Sequence, residues 1–176
     1  MQIDIFIFQN NNLIMANSLN DILLDLDDFL LERYVKPVEI DFGNLQFQKV
    51  REFRKEDSLD DIVKAKIETF QDKLFSMIKS KNLDEVEVYK NANISRQVFS
   101  NIRSDENYHP KKNTIFALAI SMRLSIDETS ELLKKAGYAF SSGSKADLII
   151  QYCMYRNFYD IDLVNELLDK YGFEVL

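Results

Sequence analysis

Residues 83–133 read LDEVEVYKNANISRQVFSNIRSDENYHPKKNTIFALAISMRLSIDETSELL, and the fold turns on them. Two short helices that meet at a steep angle need a buried face, a tight turn and a clean restart. Leu83, Val88 and Ala92 supply the buried face of the first helix. The turn must accept a residue at positive φ, and Asn93 is the non-glycine type that tolerates it best. Ile94 then fills the corner, Ser95 caps the next helix, and Phe99 with Ile102 hold that helix to the core. Arg96, Gln97, Ser100, Asn101 and Arg103 are left on its outer side with no acid among them. Such side chains reach base edges or phosphates. They would serve equally well as an ordinary solvated helix face, so both readings stay open at this point.

Charge bears on the choice. The 176 residues carry a formal net charge of −7, and a uniformly acidic protein is repelled by nucleic acid. Between Val88 and Arg123, however, six bases (Lys90, Arg96, Arg103, Lys111, Lys112, Arg123) stand against Asp105 and Glu106. Six phosphate contacts would make binding strongly salt-dependent. Not all six can share one face, so the expected affinity is modest and would be raised by a dimer presenting two copies.

Residue by residue, the stretch resembles the Cro/repressor-type (XRE-like) helix-turn-helix family of bacterial and phage regulators, over residues about 70–136. Leu83-Asp84-Glu85 stands where that family opens its first motif helix, and Asn93 takes the place of the usual turn glycine. Ile94-Ser95-Arg96 matches the entry to the recognition helix, and Ser100-Asn101-Ile102 matches its middle. His109-Pro110, Thr114 to Ala119, and Leu124-Ser125-Ile126-Asp127-Glu128 follow the closing helices, with a small insertion near Asp105–Tyr108. The resemblance implies a lambda-repressor-like five-helix core and a sequence-specific transcriptional regulator that binds double-stranded DNA as a homodimer. It places Arg96, Gln97, Ser100 and Asn101 toward the major groove. Arg103, Lys111 and Lys112 would sit near backbone phosphates.

Three positions depart from the family pattern. Glu85 lies where a neutral amide usually touches phosphate, Tyr89 replaces a small residue at the helix crossing, and Asp105 with Glu106 put negative charge just past the recognition helix. The tail, Gly137–Leu176, exceeds what the motif needs. It is similar to an extension found with this subtype in bacterial proteins, where it can follow unrelated N-terminal domains.

Working outward, the whole chain reads as all-α, with an acidic N-terminal extension over 1–57 and the helix-turn-helix domain with two extra C-terminal helices over 58–176. Four glycines and two prolines are too few for a sandwich of many short strands. The first eight residues alternate loosely at Ile3, Ile5 and Ile7, which suits a short strand; a start at Met15 preceded by an unfolded stretch fits equally well. Ser18 can cap a helix whose stripe is Leu19, Ile22, Leu23, Leu26, Phe29 and Leu30, with Arg33 near its end. Residues 37–49 read as a short hairpin or connector. A second helix is expected to start at Ser58 and bury Ile62, Val63, Ile67, Phe70, Leu74, Met77 and Ile78. Short helices follow at roughly 84–92, 95–104, 112–123, 126–136, 144–156 and 160–170.

Several chemistries are poorly supplied. One cysteine, Cys153, and one histidine, His109, leave no multi-cysteine zinc site, no His-rich metal site and no Ser/His/acid set. No phosphate-cradling glycine loop is present. The reading is therefore no enzyme, no metal and no cofactor. No apolar run approaches the ~18–20 residues that span a bilayer, and the N-terminus lacks the basic start of a signal peptide, so the expected location is cytoplasmic with no membrane partner. Asn93 and His109 read as turn and loop residues, and Cys153 as a small core residue. The aromatics Tyr152, Tyr155, Phe158 and Tyr159 read as packing rather than a base-stacking platform. Asp25, Asp27 and Asp28 read as a solvated face rather than a cation site.

A rival reading belongs to another class. The same scaffold would serve as a protein-binding module, such as a phage or mobile-element inhibitor of a host defence nuclease. The acidic N-terminal region, Glu85, Asp105 and Glu106 motivate it, because an acidic surface can cover a basic cleft.

Overall fold

The computed structural model describes residues 5–9, 12–16, 18–35, 68–105 and 108–176; for the first two segments only the backbone is described. An antiparallel hairpin comes first, with β1 (Ile5–Gln9) paired to β2 (Asn12–Ala16) in the register Ile7 opposite Ile14. The strand expected near the N-terminus is seen over Ile5–Gln9. Every other element described is a helix. The helices are α1 (Leu19–Arg33), α2 (Phe70–Ser80), α3 (Glu85–Asn91), α4 (Arg96–Ser104), α5 (Lys112–Ser121), α6 (Ile126–Lys135), α7 (Lys145–Tyr155) and α8 (Ile161–Lys170).

Seven of the eight described helix starts are set by side-chain caps, and α5, which follows Lys111, has none. Ser18, Asp84, Ser95, Ser144 and Asp160 each accept a first-turn amide hydrogen, which satisfies donors the helix cannot. Thr69 with Asp72 and Ser125 with Glu128 form reciprocal capping boxes. Thr69 also corrects the expectation of one helix running from Ser58 through Ile78. Its extended backbone (φ −80°, ψ 171°) interrupts any such helix, and α2 begins only at Phe70. The proposed start at Ser58 and the connector at 37–49 lie outside the described residues.

Six of the eight described helix ends follow one rule, and α1 and α4 instead end at extended residues, Tyr34 and Asp105. After α2, α3, α5, α6, α7 and α8 the chain passes through a left-handed residue: Asn82, Asn93, Arg123, Gly137, Asn157 and Gly172. In each case the next residue is apolar or aromatic, and its amide bonds back across the last turn, as Ile94 N does to the Tyr89 carbonyl at 2.9 Å and Leu124 N to that of Ala119 at 2.9 Å. This is a Schellman closure, which satisfies the terminal carbonyls and tucks an apolar side chain under the helix end. It lets the chain turn within four residues between α2 and α3, α3 and α4, and α5 and α6.

The core is centred on α5, whose residues Ile115, Phe116, Ala117, Leu118, Ala119 and Ile120 are all buried. A helix apolar on every side must be surrounded, and α3, α6 and α8 pack against it. The stripe on α1 is used as its spacing suggests: Ile22, Leu26, Phe29 and Leu30 are buried, and α1 packs against α7 in the same cluster as the C-terminal helices. The helix assigned to an N-terminal extension is therefore built into the common core.

One contact inside that packing overturns the reading of the α1 acids. Asp25 is buried rather than solvated, with only 8% of its side chain exposed. Tyr152 donates its hydroxyl to Asp25 Oδ2 at 2.6 Å, and Arg156 donates through Nε at 2.9 Å and Nη2 at 2.6 Å. Asp27 accepts from the Tyr171 hydroxyl at 2.6 Å. Asp28 keeps the exposed position expected of it. The acid pattern was visible in the sequence; the arginine 131 positions away was not.

At the other end of the bundle, Lys81 at the end of α2 pairs with Glu128 in the first turn of α6 at 2.8 Å. Partial burial opposes ionisation of Glu128, yet the Lys81 ammonium and the Ser125 amide outweigh it and hold the carboxyl below its usual range. A carboxyl depressed in the folded state contributes stability that is present above its unfolded value and lost as pH falls through its folded value. The melting temperature is expected to decline as pH drops through and below the ordinary glutamate range. In a thermal titration Glu128→Gln should flatten part of that decline; an unchanged profile would remove Glu128 as a contributor.

Candidate functional site

The outer side of α4 starts at Ser95, whose hydroxyl accepts from Val98 N at 3.2 Å. Phe99 and Ile102 turn inward and are buried. The opposite side is then fixed by the helical period: Arg96, Gln97, Ser100 and Arg103 are exposed and Asn101 is half-buried. Gln97 Nε2 donates to Asn101 Oδ1 at 2.9 Å, which orders two carboxamides along one turn of the helix. The pair still presents the Gln97 carbonyl oxygen as an acceptor and the Asn101 amide hydrogens as donors.

The helix is held at its angle by aromatic packing. Tyr89 lies against Phe99 with ring centroids 5.4 Å apart, and Phe75 meets Phe99 edge-on at 5.8 Å. The large residue at position 89 is thus accommodated as a ring contact between α3 and α4. Asn93 takes a φ of 53° in the corner, as a turn of this geometry requires.

Not every candidate residue is free to meet a ligand. Arg103 pairs with Glu85 on α3, and its guanidinium lies 4.6 Å above the Phe75 ring. Lys112 is spent more deeply: its ammonium meets Asp147 Oδ2 at 2.5 Å, with 26% of the lysine and 5% of the aspartate side chain exposed. Asp147 also accepts from Ser141 N at 2.8 Å and from the Ser144 hydroxyl at 3.2 Å, so this is a brace between α5 and the start of α7. Lys111 beside it is exposed and forms no ion pair among the described residues. The seven candidates thus divide into an available group (Arg96, Gln97, Ser100, Asn101, Lys111) and two committed bases. Sequence reasoning missed Asp147 as the partner of Lys112; its place three residues after Ser144, in capping position, was the only hint.

The remaining sequence candidates are structural. His109 bonds through Nε2 to the Ala136 carbonyl at 2.8 Å and lies against Tyr138. Cys153 is fully buried, and burial pushes its thiol well above the usual range. Tyr152 and Phe158 are buried, whereas Tyr155 is exposed. Burial raises the Tyr159 hydroxyl above its usual range, Glu128 adds to the shift and Arg123 opposes it; the hydroxyl donates to the Leu124 carbonyl at 3.0 Å. Among the described residues no group of three or more His, Cys, Asp or Glu is placed to hold a metal ion, and no helix is long and apolar enough to cross a membrane. No family model matches this chain, and no curated protein or solved structure matches it either.

Proposed function

We propose that this protein is a sequence-specific DNA-binding regulator of the Cro/repressor-type helix-turn-helix class, with α3 and α4 as the motif and α4 as the helix that enters the major groove. The observation that carries this reading is the outer side of α4: capped, exposed and without an acid from Arg96 through Ser104. A helix of this width fits the major groove of B-form DNA, where arginine reads guanine and a single asparagine or glutamine carboxamide reads adenine. Arg96 and the Gln97–Asn101 pair supply those two chemistries. Lys111 supplies a phosphate contact, and a homodimer would double the set against two half-sites. The test is a gel shift at low salt with the protein's own promoter region; failure of the wild type to bind there ends the proposal.

Glu85 has a defined part in this reading. Paired with Arg103, it competes with phosphate for the guanidinium. Glu85→Gln is expected to tighten DNA binding about fivefold, the equivalent of about 1 kcal/mol. The slope of log affinity against log salt should steepen by about 0.9 for the one added phosphate contact. An unchanged slope would show that Arg103 stays away from the backbone.

A second reading rests on α1. Leu24 and Leu31 on α1 are 64% and 82% exposed and Val35 just beyond its end is 60% exposed, beside the exposed Asp28 and Glu32 of the same helix. Apolar residues beside carboxylates suit a basic protein partner, consistent with a net charge of −7. Recovery of one basic nucleic-acid enzyme in a pull-down, abolished by Leu24→Glu with Leu31→Glu, would favour this function; recovery of DNA alone would count against it.

A further inference from the structure

Beside the corner between α3 and α4, a cavity of about 610 Å³ opens where helix ends meet. Its lining includes Asn93, Arg123 and Asn157, three of the four non-glycine residues at positive φ among the described residues. Left-handed backbone costs an ordinary side chain roughly 1–2 kcal/mol, which glycine escapes. Asparagine tolerates the conformation, and the corners after α6 and α8 use glycine. Arg123, at φ 51°, does neither. It is exposed, so burial does not offset the strain, and it forms no ion pair among the described residues. The feature that sets this corner apart is a guanidinium at the cavity.

The lining has two characters. Lys90 and Arg123 come from the ends of α3 and α5, and neither is ion-paired among the described residues. Asp160 and Asp162 come from the start of α8. Asp160 is occupied as a cap, with Oδ1 accepting from Asp162 N at 2.9 Å and Leu163 N at 3.3 Å. A simple anion would satisfy the bases and leave Asp162 opposed to it. A simple cation would meet the reverse problem. A ligand matched to both is anionic at one end and rich in hydrogen-bond donors at the other. The volume lies within the ~300–1,000 Å³ of small-molecule sites and is far larger than a bare phosphate needs.

We propose that this cavity binds a nucleoside monophosphate, its phosphate held by Lys90 and Arg123 and the N–H donors of its base directed to Asp162. The arginine fork suits a phosphate's paired oxygens, and lysine adds a second point charge. Asn93 and Asn157 supply neutral hydrogen-bonding groups at the same cavity.

The experiment is a thermal-shift and calorimetric titration of the full chain with AMP, GMP, CMP and UMP at millimolar concentration, set beside inorganic phosphate and the matching nucleosides. At about tenfold saturation at least one monophosphate should raise the melting temperature by roughly 3 °C, and neither its nucleoside nor phosphate should match it. Arg123→Gly separates binding from folding: the free variant should melt no lower than wild type, because glycine relieves the corner, yet lose the nucleotide shift. Lys90→Gln, at an exposed position, should weaken binding about tenfold, in line with loss of a charge-assisted contact. The proposal is overturned if no monophosphate shifts the melt, if phosphate alone reproduces the shift, or if the shift survives both substitutions.

Discussion

Asp25→Ala is expected to destabilise the fold by about 3–5 kcal/mol, the range for removing one partner of a buried ion pair. The loss goes beyond the Coulombic attraction. The Arg156 guanidinium, only 9% exposed, would lose the carboxylate on α1 that accepts from two of its nitrogens, and the Tyr152 hydroxyl would lose its 2.6 Å acceptor. With roughly 2–4 °C per kcal/mol for a chain of this length, the melting temperature should fall by about 6–20 °C. Asp28→Ala on the exposed side of the same helix is the control and should change stability by less than about 0.5 kcal/mol. Equal melting of the two variants would show that the network contributes nothing. The double change Asp25→Leu with Arg156→Met should recover much of the loss, because a pair of apolar residues needs no compensation. Urea denaturation of the set would separate the buried pair from the charges around it.

Under the proposed DNA-binding function, Arg96→Ala and Gln97→Ala are expected to cost about 1–3 kcal/mol each in DNA affinity, about fivefold to 150-fold. The losses should fall on the protein's own promoter sequence and spare a scrambled duplex, since base-edge contacts carry sequence information. Lys111→Ala should behave differently. It should weaken both duplexes alike and reduce the salt slope by about 0.9, as expected for one phosphate contact. All three positions are exposed, so the melting temperatures should stay close to wild type. If all three substitutions lower affinity for both duplexes equally, α4 binds without reading bases.

Much of the local structure is legible residue by residue. Ser18, Ser95, Ser125 and Asp160 mark helix starts because a short oxygen side chain is the cheapest partner for an unpaired amide. Asn93 and Gly137 mark helix ends because few residues tolerate a left-handed backbone. The stripe Ile22, Leu26, Phe29 and Leu30 identifies the inner face of α1 from its period alone. Thr69 shows the limit of that approach. The apolar spacing runs on through Phe70, but spacing does not register a cap that interrupts the helix.

Less of the candidate site can be read this way. The exposed side of α4 follows from periodicity, since Phe99 and Ile102 face in and their opposites must face out. Whether a base on that surface is available depends on a residue from elsewhere in the chain. Arg103 meets Glu85 on another helix, and Lys112 meets Asp147, 35 positions on. Charge counting treats all six bases of this stretch alike, and the fold does not.

Alone, the order of residues marked most of the helix starts, several of the helix ends and the apolar face of α1. Those properties depend on neighbours within a turn or two, so a few positions carry them. Tertiary structure alone decided that Asp25 is buried against Arg156, that two candidate DNA-contacting bases are engaged, and that Lys90, Arg123 and Asp162 line one cavity. Each joins residues far apart in the chain, and their meeting depends on the angles at which whole helices pack, which no local pattern encodes.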